Sequence, residues 1–362
     1  MNPYDVTIIQ SMESFRSYSE QWEDLLSSSH AESIFLTHDW LYTWSECFLS
    51  KNRQLFIIVV KKKNRLIGIA PWYLNQLKYG PIKMKQIQFL GSPEAGSDYL
   101  DVISLKGEEK RISFLIYEFL FQRGLLYWDS FSFQEVPSNS VFFQCFLKYF
   151  ECHGKHVELK NGSCCPVLKL PSNIPIFMES LSSNRRQQFK RHLKLLQEKH
   201  DMILNTGMKT ENISFLKEFK VLYKKNHSDS NDEFFYFLER YIKKTENEEI
   251  IHFDSMKAKD KVIACIIHLN YNSTKYMYSI AINKEFDKKI SIGNVLLGIS
   301  IQKAIEDKFE TYDFLKGDED FKFHWTGALN KSIDIHYYKN KIGPVSLYLS
   351  RNMKYLYKVL FR

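Results

Sequence analysis

The chain has 362 residues, of which 44% are hydrophobic and 15% aromatic, and it carries a formal net charge of +8 at pH 7. This composition excludes a disordered or low-complexity protein, and the length allows two domains, each with its own core. The sequence shows neither a signal peptide at its start nor an apolar run of the roughly 20 residues that span a bilayer, so we expect a soluble, cytoplasmic protein.

The six cysteines show no CxxC pair and no Cys/His spacing typical of a zinc site. We therefore expect reduced thiols and no metal. The positive charge favours an anionic partner, such as a phosphorylated cofactor, a nucleic acid or a membrane surface, without choosing among them.

Two β-hairpins with polar turns are predicted in distant parts of the chain. The stretch "LFIIVVKKKNRLIGIAPWYL" (55–74) has two apolar runs around a basic turn, and "IIHFDSMKAKDKVIACIIHL" (250–269) repeats this pattern. Each hairpin precedes an apolar strand, a helix-period segment and a strand with an aromatic residue beside an aspartate. These are 84–90, 110–123 and the strand around Asp129 in the first copy, and 275–282, 294–308 and the strand around Asp313 in the second. The shared order indicates two tandem α/β units, although such hairpins also recur by chance.

The boundary between the two copies is predicted near "CCPVLKLPSNIP" (164–175), where two prolines interrupt the pattern. It divides the chain into domains 1–172 and 173–345. The remaining segment, "SLYLSRNMKYLYKVLFR" (346–362), is predicted to form a basic amphipathic helix. This helix either docks onto the second domain or attaches peripherally to anionic lipid at the inner face of the membrane.

A strongly basic helix is predicted directly after the boundary. The segment "NRRQQFKRHLKLLQEK" (184–199) combines a basic surface with apolar residues at helical spacing, and Ser182, Ser183 or Asn184 caps its start. Two further amphipathic helices are predicted near 212–226 and 231–244, before the second hairpin.

A loop suited to a pyrophosphate joins the strand to the helix in the second copy, within "INKEFDKKISIGNVLL". Ser291, Gly293 and Asn294 stand where the helix opens, so free backbone N–H groups and the positive end of the helix dipole face a ligand there. Lys288 and Lys289 add positive charge. The alternative is a plain strand-to-helix turn with exposed lysines.

Carboxylates cluster near the end of the second copy, in "DFLKGDEDFKFHW" (313–325). We predict a strand over 311–316, ended by a glycine, and one or two helical turns over 318–325 with Asp318 as the N-cap. Ligands of α/β units bind beside the carboxyl ends of strands, which favours a functional role for this cluster. The alternative is a capped helical turn in which Asp318 pairs with Lys322.

Five segments resemble a known family. They are "IFLTHDWLYTWSECF" (34–48), "LIGIAPWYL" (66–74), "FLGSPEAGSDYLDV" (89–102), "SLSSNRRQQFKRHLKLLQE" (180–198) and "YDFLKGDEDFKFHW" (312–325). Together they resemble the GNAT-like acyltransferases of the cellulose-biosynthesis (CelD-like) group, relatives of the Fem-type peptidoglycan aminoacyltransferases. The last segment is the most specific, because that group carries an aromatic-Asp-Phe strand followed by Gly-Asp-x-x-(aromatic)-Lys. The resemblance implies an α/β (α+β) fold with two tandem GNAT-like units, each a mixed twisted sheet flanked by helices.

GNAT folds bind acyl-CoA through a loop of the form (Arg/Gln)-x-x-Gly-x-(Gly/Ala), and the corresponding text here is "KKISIG". Lys288, Ser291 and Gly293 stand at the three defined positions. Lysine and serine depart from the pattern, while the backbone donors survive both changes. The first copy has no such loop, which implies a degenerate, structural or substrate-side domain.

The resemblance implies an N-acyltransferase that uses acetyl-CoA or another acyl-CoA as co-substrate. Its acceptor would be an amine, such as an amino sugar or an envelope polysaccharide precursor. We expect Asp313, Asp318 or Glu319 to orient the amine or take its proton, and Lys322 to bind an anionic part of the acceptor. Tyr278 is the candidate acid for the leaving thiolate, although tyrosine in a strand often belongs to the core.

Two other functions stay open. A Fem-type transferase that uses aminoacyl-tRNA suits the basic helix, but the sequence lacks the long coiled coil that such enzymes usually carry. A catalytically inactive module for an acidic glycan or a nucleic acid suits the positive charge, but basic and aromatic residues are not interleaved, so we do not expect nucleic acid. His268 and His336 are expected to be packing residues.

Overall fold

The computed structural model describes residues 3–79, 82–123, 128–208, 212–226, 232–246, 248–259 and 261–339. The chain divides into two compact units: the first contains residues up to Gly162 and those from Lys331 onward, and the second runs from Ser163 to Asn330. The predicted limits of separate domains, 1–172 and 173–345, stay a prediction. The predicted helix 346–362 lies outside the described residues.

The first unit is a mixed α/β structure. Strands β1, β3, β4 and β7 form an antiparallel sheet in that order, and β8, β6, β5 and β2 are neighbours in a second group, with β6 parallel to β8. The strands are β1 (Tyr4–Ile9), β2 (Arg53–Leu55), β3 (Ile57–Lys62), β4 (Arg65–Ala70), β5 (Trp72–Tyr79), β6 (Ile82–Phe89), β7 (Ile103–Ser104) and β8 (Ser130–Pro137). The helices are α1 (Met12–Arg16), α2 (Ser19–Ser27), α3 (His38–Phe48), α4 (Glu109–Glu118), which a π-turn extends to Arg123, and α5 (Val141–Cys152).

The first predicted hairpin is confirmed as β3 and β4. Lys63 and Asn64 connect them and have φ angles of 49° and 66°, the left-handed pair that a two-residue hairpin turn requires. The sequence did not reveal β5, which begins after Pro71 and pairs along its length with β6.

The second unit is built around one six-stranded sheet in the order β10-β11-β12-β13-β14-β9. Neighbouring strands are antiparallel except β13 and β14, which are parallel. The strands are β9 (Glu158–Lys169), β10 (Met202–Met208), β11 (Ile251–Ala258), β12 (Lys261–Tyr271), β13 (Thr274–Ile282) and β14 (Thr311–Asp313). Strand β15 (Leu329–Tyr338) belongs to the first unit from Lys331 onward, and its residues there pair with β8. The helices are α6 (Ile174–Ser180), α7 (Ser183–Lys199), α8 (Asn212–Asn226), α9 (Asp232–Lys244) and α10 (Ile292–Glu306).

The predicted helices of the second unit are confirmed as α7 to α10, and the second hairpin as β11 and β12. Helix α7 is capped by Ser182, whose hydroxyl accepts the Arg185 N–H at 3.4 Å, one of the caps that the sequence offered. Both units are mixed sheets flanked by helices, which confirms the predicted fold class. Among the described residues, no helix is both long and apolar enough to cross a membrane.

Helices cover both faces of the second sheet. Successive side chains of a strand point to opposite faces, and β11 carries apolar side chains on each of them. On β11, Phe253 stacks on Phe215 of α8, with ring centroids 6.0 Å apart. Met256 lies on the other face, in an apolar core that includes Leu297 of α10.

Helix α7 packs closely against α10 at Gly298. A Cβ atom at this glycine would lie 2.5 Å from the Phe189 ring and 2.7 Å from the Trp325 ring. Glycine is therefore required for the two aromatic side chains to reach the α10 backbone. Phe177 of α6 stacks on Trp325, with ring centroids 6.0 Å apart.

The parallel strands β13 and β14 separate soon after they pair. Thr274–Tyr276 pair with Thr311–Asp313, after which β13 continues to Ile282 while β14 ends. The prediction of a strand over 311–316 is therefore wrong at its end. The Asp313 side chain accepts the Leu315 N–H at 2.8 Å, and Leu315 takes a φ of 54°, which interrupts the regular strand. The chain stays beside β9, because the N–H groups of Phe314 and Gly317 donate to the carbonyls of Pro166 and Cys164 at 3.0 and 3.1 Å.

The structure also differs from the predicted helical turns over 318–325. A short 3-10 helix spans Lys322–His324, and its N-cap is Phe321 rather than Asp318. The segment before it is held by the Lys322 side chain instead of by a capping carboxylate.

Candidate functional site

A pocket of about 390 Å³ opens where β13 ends and α10 begins, a size typical of small-molecule sites. We call it the loop pocket. Ile280 and Ile282 of β13 and the Phe321 ring supply apolar lining. The connecting loop supplies Asn283, Lys284, Asp287, Lys288 and Ile290. The pocket thus combines an apolar wall with a basic loop.

The first turn of α10 completes the loop pocket. Ser291 is the N-cap of this helix, and its hydroxyl accepts no hydrogen bond from a backbone N–H of the first turn. Ser291, Gly293 and Asn294 line the pocket, and Lys288 is exposed beside them. The first N–H groups of a helix have no partner within the helix and carry the positive end of its dipole, so this arrangement suits a phosphate.

Among the loop residues that line the pocket, Asp287 is the acidic one. The Asp287 carboxylate accepts the Lys289 N–H at 2.9 Å and lies 3.4 Å from Nε2 of His200. The hydrogen bond from Lys289, and then His200, hold the pKa of Asp287 below its usual range. Asp287 is therefore ionised at neutral pH. Of the predicted cofactor residues, Lys289 is exposed and does not line the loop pocket.

Tyr278 is the extra residue of a β-bulge. The pairing of β12 with β13 shifts between Ile267–Ser279 and His268–Met277, which leaves Tyr278 opposite no residue in the ladder. Its ring stacks on Phe234, with centroids 6.0 Å apart. Bulges re-aim side chains and are common next to active sites.

The predicted catalytic carboxylates lie in different environments. Asp313 is 4% exposed at the end of β14, whereas Asp318 and Glu319 are exposed. None of the three lines the loop pocket, but Phe321 of the same segment does.

Lys322 is buried and its ammonium holds the segment together. Its Nζ donates to the backbone carbonyl of Lys316 at 2.6 Å and to that of Leu315 at 3.4 Å. It also lies 3.0 Å from the Glu319 carboxylate. Gly317 is required here, because a Cβ atom on it would collide with both charged groups.

A second, smaller pocket lies on another side of the first turn of α10. We call it the helix pocket, and its volume is about 40 Å³. The residues that matter for its chemistry are Arg185, Gln188 and His192 of α7, Asn294 of α10, and His324 and Trp325.

The sequence reading missed this pocket, although α7 was predicted. Arg185, Gln188 and His192 recur at spacings of three and four residues, which places them on one face of a helix. The Nδ1 atom of His192 accepts the Ser291 N–H at 3.4 Å. Burial, and then the neighbouring Arg191 cation, lower the pKa of His192, so its ring is neutral at neutral pH.

A buried polar network fixes the paired ends of β13 and β14. The Tyr312 hydroxyl lies 2.7 Å from Nε2 of His268, and the Asp254 carboxylate lies 3.5 Å from Nδ1 of His268 and 3.7 Å from the Lys275 ammonium. Burial lowers the pKa of His268 to about 3, so the ring is neutral and its Nε2 accepts a hydrogen bond from the Tyr312 hydroxyl. The predicted packing role of His268 agrees with its complete burial.

The sequence of the second unit matches a known family. Residues 183–323 match the family described as "Acetyltransferase (GNAT) domain". The chain carries a GNAT acyltransferase domain. This GNAT domain begins with α7 and contains the loop pocket and most of the helix pocket. No curated protein matches the chain in sequence.

Solved structures extend the similarity to the whole chain. The crystal structure of FemX has a TM-score of 0.59 at 10% identity and covers 99% of this chain and 100% of its own. L-PGS from Bacillus licheniformis has a TM-score of 0.53 at 10% identity, with coverages of 91% and 95%. A tandem GNAT protein from the clavulanic acid biosynthesis pathway has a TM-score of 0.51 at 9% identity, with coverages of 92% and 98%. The prediction of two tandem GNAT-like folds is confirmed.

Within the described ranges, no group of three or more His, Cys, Asp or Glu side chains is placed to hold a metal ion. The residues around the loop pocket instead offer lysines, backbone N–H groups and apolar side chains, which fit a phosphorylated cofactor with an apolar arm.

Proposed function

We propose that the protein is an acyl-CoA-dependent N-acyltransferase whose second unit binds acetyl-CoA or another acyl-CoA in the loop pocket. The observation that carries this proposal is the cleft left where β13 extends beyond β14 and meets the first turn of α10. The pyrophosphate binds at the N–H groups of Gly293 and Asn294 beside Lys288, and the apolar arm follows Ile280, Ile282 and Phe321.

The reaction joins an acceptor amine to the acyl group. The amine nitrogen attacks the thioester carbonyl carbon, so a C–N bond forms, the C–S bond breaks and CoA leaves as a thiolate that takes a proton. A base accepts the proton that the ammonium loses. Asp313, Asp318 and Glu319 are the candidates for orienting the amine or accepting its proton, and Tyr278, at the β13 bulge, is the candidate acid for the thiolate.

Lys322 receives a revised role in this proposal. Its prediction as a binder of the acceptor rested on sequence alone. Because its buried ammonium contacts two carbonyls and Glu319, we assign it the task of positioning the segment that carries Asp318, Glu319 and Phe321.

The acceptor is proposed to be an amino sugar or another amine of an envelope polysaccharide precursor. This assignment rests on the sequence resemblance to the cellulose-biosynthesis (CelD-like) group, above all on "YDFLKGDEDFKFHW". We place the reaction in the cytoplasm, where acyl-CoA is available, with peripheral attachment to the membrane as a further proposal.

A Fem-type transfer from aminoacyl-tRNA is the second candidate. The exposed basic residues of α7, such as Lys190, Arg191 and Lys194, favour it because they suit a polyanion. The apolar lining of the loop pocket favours acyl-CoA instead. A catalytically inactive glycan-binding module is a third candidate and requires that neither donor binds.

Calorimetric titration with acetyl-CoA and with a longer acyl-CoA tests the proposal. Replacing Lys288 by Glu should weaken acetyl-CoA binding about tenfold, because it reverses a charge beside the pyrophosphate. Lys261→Glu, an exposed reversal at the start of β12, is the matched control and should leave the affinity unchanged. Folded protein that binds neither acyl-CoA would end this proposal, and binding of aminoacyl-tRNA alone would favour the second candidate.

A further inference from the structure

The helix pocket contains buried polar atoms that the protein does not satisfy. Trp325 is 8% exposed, and its Nε1–H has no hydrogen-bond partner among the described residues. The same holds for Oδ1 of Asn294, whose Nδ2 donates to the Ser291 hydroxyl at 2.9 Å. An unpaired buried donor costs stability, and native proteins contain few of them. Both residues line the helix pocket. An acceptor atom on a ligand there would pair with the Trp325 N–H, and a hydroxyl or amine N–H of the same ligand would pair with Oδ1 of Asn294.

Donors dominate the rest of the lining. The Arg185 guanidinium is held beside the pocket because its Nη1 donates to the His324 carbonyl at 2.8 Å. Gln188 offers an amide, and Trp325 offers its indole N–H. His192 is neutral and already accepts the Ser291 N–H. No carboxylate occurs among the described lining residues. This balance favours an anion.

The volume limits the size of that anion. At about 40 Å³, the helix pocket holds roughly three water-sized groups. A carboxylate or part of a phosphate fits, whereas a sugar or a nucleobase does not. The rest of the ligand must therefore lie outside the pocket.

We propose that the helix pocket binds an anionic group, a carboxylate or a phosphate, on the acyl acceptor. The acceptor is then an amine that also bears a negative charge. This inference rests on the proposed function, because the helix pocket shares Ser291 and Asn294 with the loop pocket. The anion binds on one side of the first turn of α10, and the donor cofactor binds on the other.

A matched pair of probes tests this charge preference. Glucosamine and glucosamine 6-phosphate differ by one phosphate, and each is titrated calorimetrically into protein saturated with CoA. We expect the phosphorylated probe to bind at least about tenfold more tightly, the scale of a charge-assisted hydrogen bond. Inorganic phosphate should compete with it. Equal affinities for the two sugars would overturn the proposal.

Three variants assign the effect to the pocket. Arg185→Gln removes the exposed guanidinium and should abolish most of the preference for phosphate. Trp325→Phe removes the unpaired N–H and should lower the affinity for the phosphorylated probe about threefold to tenfold. Lys190→Gln removes an exposed charge of α7 that does not line the pocket and should have no effect. If Lys190→Gln lost as much of the preference for phosphate as Arg185→Gln, the effect would be one of general surface charge, and the proposal would be refuted. A wild-type preference in Arg185→Gln would refute it as well.

Two further arms separate this inference from the proposed function. Acetyl-CoA affinity, measured on the same samples, should be unchanged in all three variants. If acetyl-CoA binds and the variants leave the phosphate preference intact, the helix pocket proposal fails alone. If acetyl-CoA does not bind while the phosphate pattern holds in protein without CoA, the helix pocket binds an anion, but the proposed function fails and with it the assignment of that anion to an acyl acceptor. Arg185→Gln could instead weaken the binding of acetyl-CoA and leave the binding of dephospho-CoA unchanged. This result would assign the pocket to the cofactor's own phosphate and overturn the assignment to the acceptor.

Discussion

Replacing Lys322 by Met removes a buried ammonium and keeps the length of the side chain. Lys322 is 3% exposed, and its Nζ lies 2.6 Å from the Lys316 carbonyl oxygen and 3.0 Å from the Glu319 carboxylate. If the segment were a surface turn, the change would cost little. Because the ammonium is a buried centre that several groups share, we expect a much larger loss.

The magnitude follows from these contacts. Hydrogen bonds to charged groups contribute about 1.5–3 kcal/mol each, and a buried acceptor left without its donor costs about 1–3 kcal/mol. The variant also no longer buries a charge, which offsets part of the loss. We therefore expect Lys322→Met to lower the free energy of unfolding by about 2–3 kcal/mol. Glu319→Gln should cost less than about 1 kcal/mol, because the Glu319 side chain is 54% exposed.

Urea denaturation followed by circular dichroism measures this difference as a shift of the midpoint at unchanged slope. Lys289→Met is the matched control, since Lys289 is exposed in the same unit, and should stay within about 0.5 kcal/mol of the wild type. A Lys322→Met protein that unfolds at the wild-type urea concentration would refute the positioning role, and the lysine would again be a candidate for binding the acceptor directly.

Three other outcomes are expected. Gly317→Ala should destabilise the protein by at least about 2 kcal/mol in the same assay, because φ is +135° and the new Cβ would strike Glu319 and Lys322. Asp318→Asn should leave stability within about 0.5 kcal/mol and lower turnover about a hundredfold, measured by thiol release, if this carboxylate serves the amine. The pKa of His268 is lowered to about 3 by burial, so unfolding frees a ring that binds a proton below its ordinary pKa of 6.5. His268 should therefore contribute a fall in stability of about 1–2 kcal/mol between pH 7 and 5. The fall should be smaller by this amount in His268→Gln and unchanged in the exposed control His156→Gln.

Local patterns predicted much of the second unit. The hairpin β11–β12, the helices α7 and α10 and the loop between β13 and α10 all follow from hydrophobic period and turn residues close together in sequence. The loop pocket formed where such a loop was expected, since Lys288, Ser291, Gly293 and Asn294 all line it. Four residues within one short stretch of sequence cannot be far apart, so a local signal is enough there.

Non-local contacts decided where the reading from sequence went wrong. Asp318 looks like an N-cap, but Lys322 reaches back to Leu315 and Lys316 and holds the chain in another shape. A lysine side chain has no sequence signal that announces burial. In the same way, nothing near His192 in the sequence reveals that Ser291, which is 99 positions away, donates to its ring.

The helix pocket depends on one glycine that does not line it. Gly298 lets the rings of Phe189 and Trp325 approach the α10 backbone, and this close packing brings Arg185, Gln188 and His192 of α7 to the first turn of α10. A Cβ at position 298 would collide with these rings. Because the core has almost no free volume to absorb the collision, the rings and α7 with them would have to move away from α10. The N-terminal positive end of α10 would then face the loop pocket alone. Close packing of α7 thus places a second pocket on the first turn of α10, which is the geometry required if, as we propose, a charged acceptor is to meet the donor there.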